Sequence, residues 1–111
     1  MKTIIFGASG MVGQGVLMEC LDSPDVESVL VLGRSPCGLD HAKLREILHQ
    51  DFFDYLPLKE DLTGYDACFF CLGVSAAGMS EEKYTHLTHD LTLAGAKFLA
   101  ERNPQMTFCY V

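Results

Sequence analysis

Hydrophobic positions along this chain fall in short apolar runs separated by glycine, proline and charged clusters. The first run, Thr3-Ile4-Ile5-Phe6, predicts a strand over 2–6. Val16-Leu17-Met18-Glu19-Cys20-Leu21 belongs to a helix over about 11–21, stopped by the breaker cluster Asp22-Ser23-Pro24. The continuous apolar run over 28–32 has the character of a strand buried on both faces. Residues 34–43 hold Pro36 and Gly38 and read as loop, followed by a weaker strand over about 44–50 and then Asp51-Phe52-Phe53-Asp54. A fourth strand is predicted over 67–72, with a small-residue loop over 73–78. A long helix over about 80–102 comes next. Glu81 and Glu82 suit its first turn, and Asn103-Pro104 ends it. Leu87, Leu91, Ala94, Phe98 and Leu99 follow helical spacing and are expected to face the sheet. The last predicted strand covers 106–111.

Strands that alternate with helices or crossover loops imply a parallel sheet with right-handed crossovers. The expected fold class is α/β, a Rossmann-like doubly wound sheet with strand order 3-2-1-4-5. It forms one domain over 1–111 that is expected to be incomplete, breaking off in its fifth strand. Ligands of such sheets bind outside the carboxyl ends of the strands, at the topological switch point. The first glycine turn, Arg34, Asp51 and Gly73 all fall at such strand ends.

The glycine turn is Gly7-Ala8-Ser9-Gly10-Met11-Val12-Gly13, directly after the first strand and opening the first helix. Glycines let backbone bend tightly and approach a pyrophosphate closely. The helix that follows aims unpaired N–H groups and its positive dipole end at the same place. Glycine also marks ordinary turns, so the position between strand and helix is what makes this pattern specific.

Bulk properties narrow the field. The 111 residues suffice for one domain, and 49% hydrophobic residues make a globular composition. A net charge of −7 argues against nucleic acid or an anionic membrane surface as partner. No apolar run reaches the roughly 18 residues of a membrane span. The opening Met1-Lys2-Thr3-Ile4-Ile5-Phe6 has a superficial likeness to a signal peptide, but Gly7-Ala8-Ser9-Gly10 interrupts it too early, so a cytoplasmic location is expected. The five cysteines are scattered in apolar contexts and fit a reducing compartment. Cys68 and Cys71 match a CxxC spacing, but three residues apart on a strand they face opposite sides. His86 and His89 stand at i and i+3 on a helix and have no obvious third ligand, so no metal site is expected.

These residues resemble the nucleotide-binding part of the extended and atypical short-chain dehydrogenases/reductases, which include NAD-dependent epimerases/dehydratases and NmrA-like sensors. Gly7, Ser9, Gly10, Met11, Val12 and Gly13 are similar to the family's glycine motif. Leu32-Gly33-Arg34 resembles its second strand end, and Asp51-Phe52 resembles its adenine-contacting pair. Cys71-Leu72-Gly73-Val74 resembles the fourth-strand loop under the cofactor. Asp90-Leu91-Thr92-Leu93-Ala94-Gly95 stands where epimerases carry an Asn-Val-x-Gly stretch. The resemblance implies an NAD(P) cofactor. Members preferring NAD place an acid at the end of the second strand. Here Arg34 and Ser35 stand there, while Asp25 and Glu27 precede the strand, so NADP(H) is expected over NAD(H). Asp51 admits two readings: acceptor for the adenine amino group beside the Phe52 N–H, or an exposed acid closing a strand.

The resemblance further implies a catalytic Tyr-x-x-x-Lys after the fifth strand. Tyr84 is followed by Thr88, and Tyr65 and Tyr110 have no lysine four residues on. Tyr55 and Lys59 match the spacing, but Pro57 intervenes in a loop-like stretch before the fourth strand. Ser75 and Ser80 have no His–Asp arrangement nearby. No catalytic residue is therefore expected among residues 1–111. Two functions compete: the NADP(H)-binding portion of an oxidoreductase or epimerase, whose small-molecule substrate is met only in a longer parent, or a non-catalytic module that senses the dinucleotide. A third reading is a flavodoxin-like or other α/β domain. The uncovered sheet edge leaves a homo-oligomer open.

Overall fold

The computed structural model describes residues 1–8, 10–34, 36–71 and 81–110, with side chains of the last stretch from residue 89 onward. Its strands are β1 (Lys2–Phe6), β2 (Ser28–Gly33), β3 (Leu44–Leu48), β4 (Ala67–Phe70) and β5 (Thr107–Tyr110). Its helices are α1 (Met11–Asp22) and α2 (Glu81–Arg102), with a 3-10 turn at Leu56–Leu58 that the sequence pattern did not suggest. All strand pairs are parallel, in the order β3-β2-β1-β4-β5. This is the expected Rossmann-like order. The predicted strands run one or two residues too long at β3, β4 and β5, and position 72 of the fourth lies outside the described residues, as do Ser80 and Val111.

The apolar runs become two packed layers because successive strand residues point to opposite faces. Ile4, Phe6, Leu30, Leu32, Cys68 and Phe70 meet Leu91 and Leu99 of α2. Ile5, Val29 and Val31 meet Leu17, Cys20 and Leu21 of α1 on the other face. Ala94 and Phe98 pack against the α2 layer as expected, and the side chain of Leu87 lies outside the described residues. Burial on both faces explains why β1 and β2 read as continuous apolar runs. By contrast β3, an edge strand, is mostly exposed and mixes Arg45 and Glu46 with its apolar residues. That is why its pattern is the weakest of the five.

Among the described residues, no helix joins β2 to β3. The connecting loop instead buries Cys37 and packs Leu39 against the α1 layer. The Cys37 amide donates to Glu46 Oε2 at 2.8 Å. The Lys43 ammonium donates to the carbonyls of Leu21 (3.2 Å) and Ser23 (3.0 Å), where α1 ends. Asn103, buried just past α2, ties that helix to the loop before β4. Its Oδ1 accepts from the amides of Gly64 (2.7 Å) and Tyr65 (2.8 Å). Its Nδ2 donates to the carbonyls of Leu62 (2.8 Å) and Leu99 (3.1 Å).

Cys68 lies in the α2 layer while Cys71 follows the strand end. All five thiols are free, and burial raises the pKa of Cys20, Cys37, Cys68 and Cys71. Among the described residues no group of three or more His, Cys, Asp or Glu side chains could hold a metal ion. None of the described helices is long and apolar enough to cross a membrane.

Candidate functional site

Register places the candidate residues on one edge. Phe6, the last residue of β1, pairs with Leu32 and with Phe70, so Gly7, Gly33 and Cys71 leave the sheet side by side. The ladder continues one step past the strands: the Gly7 amide donates to Leu32 O (3.1 Å), that of Cys71 to Phe6 O (2.9 Å) and that of His49 to Gly33 O (2.9 Å).

The turn after β1 is built by three glycines with different tasks. Gly7 has φ +78°, a left-handed conformation that side chains disfavour. Gly10 is the extended N-cap of α1 and has no side-chain cap. A Cβ on Gly10 would come no closer to a protein atom than 3.8 Å. A Cβ on Gly13 would stand 2.1 Å from Gly7 O and 2.9 Å from Ala8 Cα, so the helix rests directly on the turn. The first intrahelical bond is Gln14 N to Gly10 O (2.8 Å). The amides of Met11, Val12 and Gly13 precede it and lack i−4 partners within the helix. No acidic residue stands in this first turn to compete for them. Met11 and Val12, in the first turn of α1, are 92% and 57% exposed. An open groove shares these two residues and continues along the flank of α1 past Val16 and Cys20 to Phe69.

Arg34 leaves β2 at the same edge, exposed and with no ion pair among the described residues. Its Cζ lies 5.2 Å from the centroid of the Phe52 ring. Gln50 Nε2 donates to the Arg34 carbonyl at 3.1 Å. Asp51 is exposed and its Oδ1 accepts from the Phe53 amide at 3.0 Å, so this carboxylate also shapes its own turn. The Phe52 side chain is a core residue, 1% exposed, which leaves only its backbone for a ligand. Cys71 is half-buried, and its thiol pKa is raised by burial and then by Cys109 and Cys20. Ser9, Ser35, Leu72, Gly73, Val74, Ser75 and the side chain of His86 lie outside the described residues.

Tyr55 is 3% exposed, within the α2 layer. Burial raises its pKa, and its hydroxyl has no hydrogen-bond partner among the described residues. Rings of Phe6, Phe52 and Phe98 surround it at 5.9, 6.3 and 5.6 Å. A buried hydroxyl without a partner is costly. Tyr55→Phe is therefore expected to raise stability by about 1 kcal/mol in denaturant melts and to leave any nucleotide affinity unchanged. A loss of affinity in that variant would show that the hydroxyl serves the site. The sequence reading gives Asn103 only as a helix stop and Gln50 only as the end of a strand, and misses what their side chains do. Each bonds backbone through its side chain, an interaction that no spacing pattern announces.

No family model matches the sequence, and no curated protein is significantly similar to it. Solved structures do match. Uronate dehydrogenase from Agrobacterium tumefaciens, as a mutant complexed with NAD, superimposes at TM-score 0.72 and 19% identity, over 99% of this chain and 40% of that one. A short chain dehydrogenase family protein from Francisella tularensis gives TM-score 0.69 and 15% identity, over 98% and 49%. A dTDP-glucose 4,6-dehydratase from Streptomyces venezuelae, with NAD and TYD bound, gives 0.64 and 21%, over 91% and 35%. The chain thus spans less than half the length of each of these proteins. Its Rossmann-like α/β architecture is the one found in short-chain dehydrogenases and sugar-nucleotide dehydratases.

Proposed function

We propose that this chain is the NADP(H)-binding portion of a short-chain dehydrogenase/reductase-like oxidoreductase or epimerase. The observation that carries the reading is the seat of Gly13 on Gly7, which fixes the amides of Met11, Val12 and Gly13 at the edge where Arg34 emerges. Those amides and the helix dipole would hold the pyrophosphate. Gly10 would give it close approach, and Ser9, by its place in the motif, would add a hydroxyl. Arg34 and Ser35 would take the 2′-phosphate, a charge-assisted contact unavailable to NADH. Asp51 and the Phe52 amide would meet the adenine, while Cys71-Leu72-Gly73-Val74 would pass under the cofactor. The bound nicotinamide would supply hydride transfer. The small-molecule substrate would be met by a longer parent, and a cytoplasmic setting suits five unpaired thiols.

Titration of the wild-type chain is expected to show tighter binding of NADPH than of NADH. Arg34→Ala is expected to weaken NADPH binding about 10- to 100-fold and to spare NADH. Unchanged NADPH affinity in that variant would remove Arg34 from the site.

A further inference from the structure

We propose that Phe52 and Gln50 are positioning residues that set the discrimination between a 2′-phosphate and a 2′-hydroxyl by holding Arg34 in place. The inference rests on the reading of Arg34 given above and goes one layer beneath it. An exposed arginine at a strand end ordinarily samples many rotamers. This one is held at both ends. The Gln50 amide donates to the Arg34 carbonyl at 3.1 Å and anchors its backbone just beyond β2. The guanidinium lies over the Phe52 ring, Cζ to centroid 5.2 Å, within the range of a cation–π contact.

The platform is rigid. Phe52 is 1% exposed and its ring is wedged against Phe6, His49 and Tyr55 at centroid distances of 6.1, 5.9 and 6.3 Å. An aromatic face satisfies a guanidinium without neutralising it. A carboxylate in the same place would cancel the charge needed for a phosphate. Asp51, between the two positioning residues in sequence, has Oδ1 engaged by the Phe53 amide at 3.0 Å, and no ion pair links Arg34 to an acid among the described residues. Residues 50 and 52 thus hold Arg34 at two points, its backbone carbonyl and its guanidinium.

The test is a set of calorimetric titrations of the full chain with NADPH and with NADH, for wild type, Arg34→Ala, Gln50→Ala, Phe52→Leu and Phe52→Tyr. Gln50→Ala is expected to weaken NADPH binding about 3- to 10-fold and to leave NADH within about 2-fold, and Phe52→Leu to weaken NADPH binding by a larger factor than NADH binding. Phe52→Tyr, which keeps the ring face, is expected to retain the wild-type ratio. Gln50 is exposed, so its variant decides the matter if Phe52→Leu fails to fold. A wild-type preference lost in Arg34→Ala but intact in Gln50→Ala would overturn the proposal and leave the reading of Arg34 standing. Equal weakening of both nucleotides would overturn it too, as a merely structural effect. No preference in the wild type would sink the reading of Arg34 itself, and the proposal with it.

Discussion

Replacing Gly13 with valine is expected to leave little folded protein and no measurable dinucleotide binding. The added Cβ would stand 2.1 Å from Gly7 O and 2.9 Å from Ala8 Cα, both backbone atoms that no rotamer change can move. Either α1 lifts off the sheet, exposing Leu17, Cys20 and Leu21, or the turn deforms and scatters its amides. Even Gly13→Ala is expected to cost about 3 kcal/mol, at the upper end for overpacking, and to lower Tm by on the order of 10–20 °C. Gly15 is the control. Among the described residues, nothing beyond its own helix backbone and chain neighbours lies within 4 Å of a Cβ built there, and its helical position favours alanine. Gly15→Ala should therefore gain about 0.5–1 kcal/mol. Thermal melts followed by circular dichroism compare the two, and equal stability of both variants would contradict the packing described for the turn.

Asn103→Leu is expected to be the most damaging substitution away from the glycine turn. One side chain serves the amides of Gly64 and Tyr65 and the carbonyls of Leu62 and Leu99, and it is 6% exposed. Leucine keeps the approximate volume and leaves these backbone groups without their side-chain partner. Removing the shared partner of several enclosed polar groups is expected to cost about 3–4 kcal/mol, a large fraction of the stability of a small domain. Asn103→Asp keeps an acceptor for the two amides but sets a carboxylate against two carbonyls, so it is expected to recover only part of the loss. Urea denaturation measures both, and a cost below about 1 kcal/mol for Asn103→Leu would show that other groups or solvent replace the amide.

The sheet order was legible because β1 and β2 are buried on both faces and leave continuous apolar runs, with the glycine turn fixing where the first crossover begins. The span of β3 was less legible because an edge strand carries exposed charges such as Arg45 and Glu46. The turn at Leu56–Leu58 was missed because it is three residues long with proline inside it, a stretch that reads as loop. At the site, the residue types at strand ends put the glycine turn, Arg34, Asp51 and Gly73 on one edge, and of these Gly7 and Arg34 leave neighbouring strands together, while Gly73 lies outside the described residues. The residue types did not show that the Phe52 side chain turns into the core beneath Arg34, nor that Gln50 reaches back to the Arg34 backbone. Both depend on the loop after β3 folding back over the edge, a tertiary event without a local signature.

The most direct test of the account is an amide-resolved NMR titration of the isotopically labelled chain with NADPH. Binding at the proposed site predicts saturable shifts concentrated on Gly7, Gly10, Met11, Val12 and Gly13, with a second group at Arg34, Asp51 and Phe52. A well-dispersed, folded spectrum that does not change at millimolar NADPH, or that changes only away from this edge, would contradict it.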